Sequence, residues 1–212
     1  MNWSKIIGSD FICTDVMKRW KHRLLADDKK MLNAGSGNAI IHPKAINMDI
    51  FDFPNVNKIG SVEDIPFTGN TFDTVWCEAV LEHTPNPIIA VNEMYRVLRT
   101  GGLIFVMVPF NHKFHSHPDD YQRWSKEGLK HLMRYFKCEE IGVYRGPSSA
   151  LLSFITEYMT LFTFTDNKTI NKIVQGLTML CFFPIRFLDL LLRHNKRSHE
   201  IANGLYFIGR KK

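Results

Sequence analysis

The chain has 212 residues, 45% hydrophobic and 23% charged, with a net charge of +6. That length supports one well-buried α/β domain with an elaboration and is short for two independent domains, and the composition excludes an intrinsically disordered chain. The positive balance favours anionic partners (phosphorylated substrates, an anionic membrane face or nucleic acid) without choosing among them. Cys13, Cys77, Cys138 and Cys181 lie far apart with no Cys-x-x-Cys spacing. This argues against a zinc site or a disulfide framework and for free thiols in a reducing compartment. Asp10, Asp15 and Lys18 interrupt any apolar signal core, so the expected location is the cytoplasm.

Residues 1–27 read as an N-terminal helical extension. Phe11, Ile12, Val16, Trp20 and Leu24 recur at helical spacing between Asp10 and Leu25. A polar break, Asp27 to Lys30, precedes strands predicted at Met31–Asn33, Ala45–Met48, Phe72–Cys77, Leu103–Val108, Glu139–Tyr144 and Leu205–Ile208. Pro87–Leu98 is predicted as a helix with Ile88, Val91, Met94, Tyr95 and Leu98 on one face, ended by Gly101-Gly102. A further helix is predicted over Lys126–Phe136, capped by Ser125. Strands alternating with helices predict βαβ units and a doubly wound, Rossmann-like, mostly parallel sheet of seven strands. Only about ten residues, Gly35 to Lys44, join the first two strands, and Pro43 lies among them. A full crossover helix needs roughly a dozen, so this one is a single turn or absent.

Residues 146–200 form a predicted helical insertion before the last strand, with apolar stretches at Ala150–Phe164 and Ile173–Leu192. The longest charge-free run, Ile173 to Ile185, has thirteen residues and includes Pro184. A membrane span needs about twenty, which leaves a helical cap or an interfacial membrane helix. Arg186, Arg193, Lys196 and Arg197 flank the second stretch and keep peripheral contact with the inner membrane face open.

The glycine turn after the first strand, Gly35-Ser36-Gly37, lets backbone approach a ligand closely. Asp49 ends the second strand, where a carboxylate can accept both hydroxyls of an adenosine ribose. That pair fits either NAD or S-adenosylmethionine. NAD wants Gly-x-Gly-x-x-Gly opening a helix whose N-terminus faces the pyrophosphate. Here Ile40 occupies the third glycine position and the helix is missing, which counts against NAD.

The order of motifs resembles class I S-adenosylmethionine-dependent methyltransferases, in the small type with a shortened first crossover. The motifs are Asn33-Ala34-Gly35-Ser36-Gly37, Asn47-Met48-Asp49, Gly60 to Phe67, Phe72-Asp73-Thr74-Val75, Val80-Leu81-Glu82-His83 and Val97 to Gly102. They cover roughly residues 28–145 and the final strand. The resemblance implies S-adenosylmethionine as cofactor and S-adenosylhomocysteine as product. By position, Asn33, Ala34, Gly35, Ser36 and Gly37 would line the methionine part, and Asp49 with Ile50 would hold the ribose. Ser61, Val62 and Glu63 would flank the adenine, and Cys77 and Glu78 would sit beside the sulfonium. Asn33 stands where the family usually has an acidic residue, and Ser61 where it often has Asp; both changes remove a charged partner of the cofactor.

Pro109 to Ser125 is the densest polar-aromatic stretch and follows the end of a strand, where such sheets bind ligands. His115, His117 and His83 are candidates for taking a proton from an attacking hydroxyl. Asp120, Tyr121 and Arg123 join them as candidate catalytic residues or as a network holding the loop. His115-x-His117 with Asp119 or Asp120 offers metal-ligand atoms, but at no helical ligand spacing and without a cysteine, so no metal site is expected. A Pro-Asp-Tyr-x-Arg-like segment with an apolar C-terminal insertion resembles methyltransferases of carbohydrate or surface-polymer intermediates. It implies O-methylation of a small-molecule or glycan acceptor that can be lipid-linked. The alternatives are a catalytically degenerate, membrane-associated binding subunit and an NAD-dependent oxidoreductase or epimerase. Scattered Lys and Arg, with no basic stripe of interleaved aromatics, give no expectation of nucleic-acid binding.

Overall fold

A computed structural model describes residues 13–212, and the chain divides into two compact units. The first comprises residues 17–109, 115–142 and 206–212; the second includes 110–114 and 143–205. The predicted helical contributions of Phe11 and Ile12 lie outside the described residues. From Cys13 the chain is helical to Leu24 (α1).

Seven strands form one sheet in the order β3-β2-β1-β4-β5-β7-β6. They are β1 Met31–Ala34, β2 Ile46–Asp49, β3 Lys58–Ile59, β4 Phe72–Glu78, β5 Leu98–Pro109, β6 Phe136–Arg145 and β7 Gly204–Lys211. Pairing is parallel from β3 through β5, with Leu32 beside both Ile46 and Val75. A central parallel strand is covered on both faces, so it reads as an unbroken apolar run. Accordingly all four residues of β1 are buried, and so is β5 from Leu103 to Pro109.

The stretch between β1 and β2 contains only turns and bends, as its length requires. The crossover helix α2, Pro87–Val97, buries Ala90, Val91, Met94 and Val97. Gly101-Gly102 does not end this helix. Leu98 is already extended and starts β5, and the glycines sit in a bulge where Phe72 pairs with Leu98 but Thr74 with Leu103. Gly101 takes φ +78°, and a side chain on Gly102 would collide with the carbonyl of Arg99 at 2.8 Å.

Ser125 caps α3, Lys126–Leu132, by accepting from the Gly128 amide at 3.1 Å. The helix stops four residues short of the predicted Phe136, which instead opens β6. The strand β3 had no sequence signal: both of its residues are exposed, and only its pairing with Met48 and Asp49 defines it.

The second unit is helical, as predicted for 146–200. Its helices are α4 Pro147–Leu161, α5 Lys168–Phe182 and α6 Asp189–Leu192, with 3₁₀ turns at Phe183–Leu188 and Ser198–Glu200. Buried Asp189 accepts from the Ser148 amide at 2.8 Å and the Ser149 amide at 3.1 Å. It thereby satisfies donors left open at the start of α4. Gly146 makes room for it, since a Cβ there would lie 2.3 Å from its carboxyl carbon.

Candidate active site

The C-terminal ends of β1, β2, β3 and β4 surround a cavity of about 440 Å³, within the range that holds cofactor-sized ligands. Gly35, Ser36 and Gly37 follow β1, and Asp49 and Ile50 close β2. Ser61, Val62 and Glu63 follow β3, and Glu78 ends β4. Gly35 and Gly37 take φ +71° and +50°, a left-handed conformation that glycine adopts without strain.

Asp49 links the first two strand ends. Its Oδ2 accepts from the Gly37 amide at 2.7 Å and its Oδ1 from the Phe51 amide at 3.0 Å. A carboxylate has roughly four lone-pair sites, so about two remain for hydroxyl donors in the cavity. Ser61 shapes its own turn, accepting from the Glu63 amide at 3.1 Å, and Glu63 accepts from the Asn86 amide at 2.7 Å. Arg96 and Glu93 clamp this loop from α2. Arg96 donates to the carbonyls of Phe67 and Ile65 at 2.8 and 2.9 Å, and Glu93 accepts from the Ile65 amide at 2.9 Å.

Three predicted cofactor residues stand behind the wall rather than on it. Asn33 is buried and donates to Asn47 at 3.0 Å and to the Ala39 carbonyl at 3.1 Å, so it supports the glycine turn from below. Ala34 is fully buried. Cys77 is buried too, and burial, joined by the charges of Glu82 and Glu78, pushes its thiol far above the usual range. It is a packing residue.

The loop after β5 brings its histidines to two different places. His117 lines the cavity and stacks on Phe51, ring centroids 5.9 Å apart. His115 meets His83 edge-to-face at 4.9 Å. His115, His117 and an aspartate, weighed in the sequence as metal ligands and not expected to form a site, are not brought together. Asp120 is engaged by both Arg123 nitrogens, Nη2 at 2.6 Å, and by the His115 amide at 2.8 Å. The Arg123 guanidinium holds the Asp120 carboxyl well below the ordinary carboxylate range, against the opposing effect of burial. Asp120 and Arg123 thus secure the loop. Tyr121 lines the cavity, its hydroxyl donating to Asp119 at 3.0 Å and its amide to the Glu82 carbonyl at 2.8 Å.

Sequence reading named Glu82 only as part of a motif and missed its role. Glu82 is completely buried and lies 3.6 Å from His115 and 3.8 Å from His83. The one signal was a carboxylate directly after two apolar residues, in Val80-Leu81-Glu82-His83. Asp119, weighed in the sequence only as a metal ligand, lines the cavity.

The lining has one decisive charge property. Among its described residues are four carboxylates, Asp49, Glu63, Glu78 and Asp119, and no Lys or Arg. The chain's excess positive charge lies elsewhere. A pyrophosphate would be repelled here, which speaks against NAD, whereas a cofactor bearing an ammonium and a sulfonium suits an anionic cradle.

Comparison with known proteins agrees with this geometry. Residues 31–106 match the family model of a methyltransferase domain. A 55-residue stretch is 38% identical to 2-methyl-6-phytyl-1,4-hydroquinone methyltransferase 2 of Oryza sativa subsp. japonica, covering 26% of this chain and 16% of that protein. The match thus spans about a sixth of that relative. In solved structures the fold is similar to 1,6-didemethyltoxoflavin-N1-methyltransferase of Burkholderia thailandensis, which holds S-adenosylhomocysteine. The TM-score is 0.58 at 12% identity, over 98% of this chain and 81% of that one. It is equally similar to a Bacillus halodurans protein described as a methyltransferase, with TM-score 0.58 at 17% identity over 93% and 99%.

Proposed function

We propose that this chain, which belongs to the class I S-adenosylmethionine-dependent methyltransferases, methylates a hydroxyl of a small-molecule or glycan acceptor. The observation that carries the reading is the anionic cavity at the ends of the parallel strands, with Asp49 on its wall. When bound, S-adenosylmethionine supplies an electrophilic methyl group on a sulfonium sulfur.

The chain's own residues bind, orient and deprotonate. Asp49 accepts from the ribose hydroxyls with the lone pairs its two backbone bonds leave over. Gly35, Ser36 and Gly37 offer backbone at close range to the methionine part, Val62 and Glu63 flank the adenine, and Glu78 faces positive charge. His117, on the cavity wall, takes the acceptor's hydroxyl proton at an imidazole nitrogen. Displacement at a sulfonium methyl profits chiefly from alignment, so positioning carries most of the rate. Exposed Phe51 and Tyr121 at the rim offer aromatic faces to a ring-shaped acceptor.

A second element supports a lipid-linked acceptor or peripheral membrane contact. The thirteen-residue charge-free run lies inside a 25-residue helical segment, Lys168–Leu192, whose most apolar 18-residue window has mean hydropathy 1.5 and is mostly exposed. It is long and apolar enough to cross a membrane by length and composition. Arg193, Lys196 and Arg197 follow it and suit an anionic headgroup layer at the cytoplasmic face.

Calorimetric titration with S-adenosylmethionine and S-adenosylhomocysteine tests the central reading. Micromolar binding, lost in Asp49→Ala, is expected. Absence of binding by the wild-type protein would overturn it and favour the binding-subunit alternative.

A further inference from the structure

Glu82, His83 and His115 form a cluster that methyl transfer does not require. Glu82 is completely buried, and neither of its carboxylate oxygens has a hydrogen-bond partner. A carboxylate removed from water without a partner is destabilising by several kcal/mol, so a charge or a proton must face it.

Two imidazole nitrogens face it. His115 Nε2 lies 3.6 Å from Glu82 Oε1, and His83 Nε2 lies 3.8 Å from the same oxygen. These gaps are too long for hydrogen bonds. They are also too short for a bridging water, which would hold its two partners about 4.6 Å apart. Two ligand atoms each about 2.1 Å from one ion at a tetrahedral angle lie about 3.4 Å apart, close to the observed gaps. One ligand atom from each of the three residues falls within 4.8 Å of the others.

Proton bookkeeping points the same way. His83 Nδ1 lies 2.5 Å from the Asp119 carbonyl oxygen, which can only accept. Nδ1 therefore carries the proton, and the Nε2 that faces Glu82 presents a lone pair. A lone pair against a carboxylate is repulsive unless a cation or a further proton lies between them. His115 is held from its other side as well: its Nδ1 lies 3.4 Å from both Asp120 Oδ2 and Arg123 Nη2, and its amide donates to the same Asp120 oxygen. His83, held through Nδ1 by a carbonyl with Nε2 turned inward, has the usual outer support of a metal-ligating histidine.

We propose that Glu82, His83 and His115 bind a divalent transition-metal ion, for which two imidazoles and one carboxylate are suitable donors, Zn²⁺ and Co²⁺ above Mg²⁺ or Ca²⁺. The ion ties the turn after β4 to the loop after β5 and keeps at least one position open for water or a substrate oxygen. Its binding can be measured with no cofactor or acceptor present and so is tested apart from the methyltransferase reading, although His83 also lines the cavity.

The test uses full-length protein freed of metal with a chelator. Titration with Co²⁺ should give one equivalent of visible ligand-field absorption. Zn²⁺ should abolish that signal and raise the thermal midpoint. Glu82→Gln, which keeps shape and removes charge, should weaken Co²⁺ binding at least tenfold and erase the Zn²⁺-dependent shift in midpoint. His115→Ala, at a partly exposed side chain, should do the same and guards against misfolding of the Glu82 variant. Wild-type protein that takes up no Co²⁺, or variants that bind it as tightly as wild type, would overturn the proposal. So would a Glu82→Gln protein that is more stable than metal-free wild type yet retains the Zn²⁺-dependent shift. Cofactor binding measured on the same samples keeps failure here distinct from failure of the methyltransferase reading.

Discussion

His115 and Asp120 meet twice, through a 2.8 Å amide bond and a 3.4 Å approach of Nδ1, both at Asp120 Oδ2. Asp120 sets where His115 stands, and Arg123 sets where Asp120 stands. Asp120→Asn keeps the shape and removes the charge, leaving Arg123 facing a neutral amide. Losing one partner of a buried pair is destabilising by roughly 3 kcal/mol. Urea denaturation should show that loss. The cofactor Kd should stay within about twofold, while metal affinity, read by Co²⁺ titration, should fall about tenfold as expected for an outer support. An unchanged metal affinity would reduce Asp120 to a loop fastener.

In the proposed reading Asp49 both fastens two backbone amides and holds the cofactor, which makes its variants informative. Asp49→Asn retains an acceptor oxygen for one backbone amide but loses the charge. Each charge-assisted bond to a ribose hydroxyl contributes about 1.5–3 kcal/mol. Cofactor affinity should therefore drop at least tenfold in Asp49→Asn and further in Asp49→Ala, which also releases the Gly37 and Phe51 amides. Calorimetry separates the two steps.

Those dual contacts mark what the chain's residues announce and what they conceal. The parallel strands were legible because both of their faces are buried, so Leu103–Val108 is an unbroken apolar run and Met31–Ala34 is broken only by Asn33. The missing first crossover helix followed from chain length alone. The strand at Lys58–Ile59 was invisible because it exists only through pairing with the end of β2. Gly101-Gly102 read as a helix stop, yet the chain had already turned extended at Leu98 and needs the glycines for a bulge. In the site, the cavity glycines and Asp49 were legible from spacing. Glu82 was not, since its meaning lies in a histidine 33 positions further along the chain and in the absence of water around it.

The clamp between α2 and the loop at Ile65–Phe67 should impose a pH dependence on stability. The hydrogen bond from Arg96 lowers the Glu93 carboxyl below its ordinary value, helped by the Ile65 amide and opposed by burial. A carboxylate whose folded-state pKa is depressed contributes stability that is fully present above its unfolded value, about 4.3, and is lost as pH falls toward the folded value. Wild-type stability should therefore decline below about pH 5, and Glu93→Gln should show a shallower decline from a lower plateau. Urea midpoints measured across pH 3 to 7 decide it; parallel curves would mean that the clamp does not differ between folded and unfolded states.

Gly35 and Gly37 share a left-handed backbone but differ in what surrounds them. A Cβ on Gly35 would lie 2.4 Å from Val80 Cγ2, whereas one on Gly37 would meet nothing within 4 Å. Gly35→Ala combines backbone strain with a clash and should lower stability by about 2–3 kcal/mol. Adding Val80→Ala should recover only the clash, because φ +71° remains. Gly37→Ala incurs the strain alone, about 1 kcal/mol, but places a methyl group at a residue that lines the cavity. Its larger effect should fall on cofactor affinity, with the thermal midpoint lowered by only about 2–4 °C. If Gly37→Ala binds S-adenosylhomocysteine as wild type does, the glycine turn does not approach the cofactor, and the assignment of the methionine end to this wall fails.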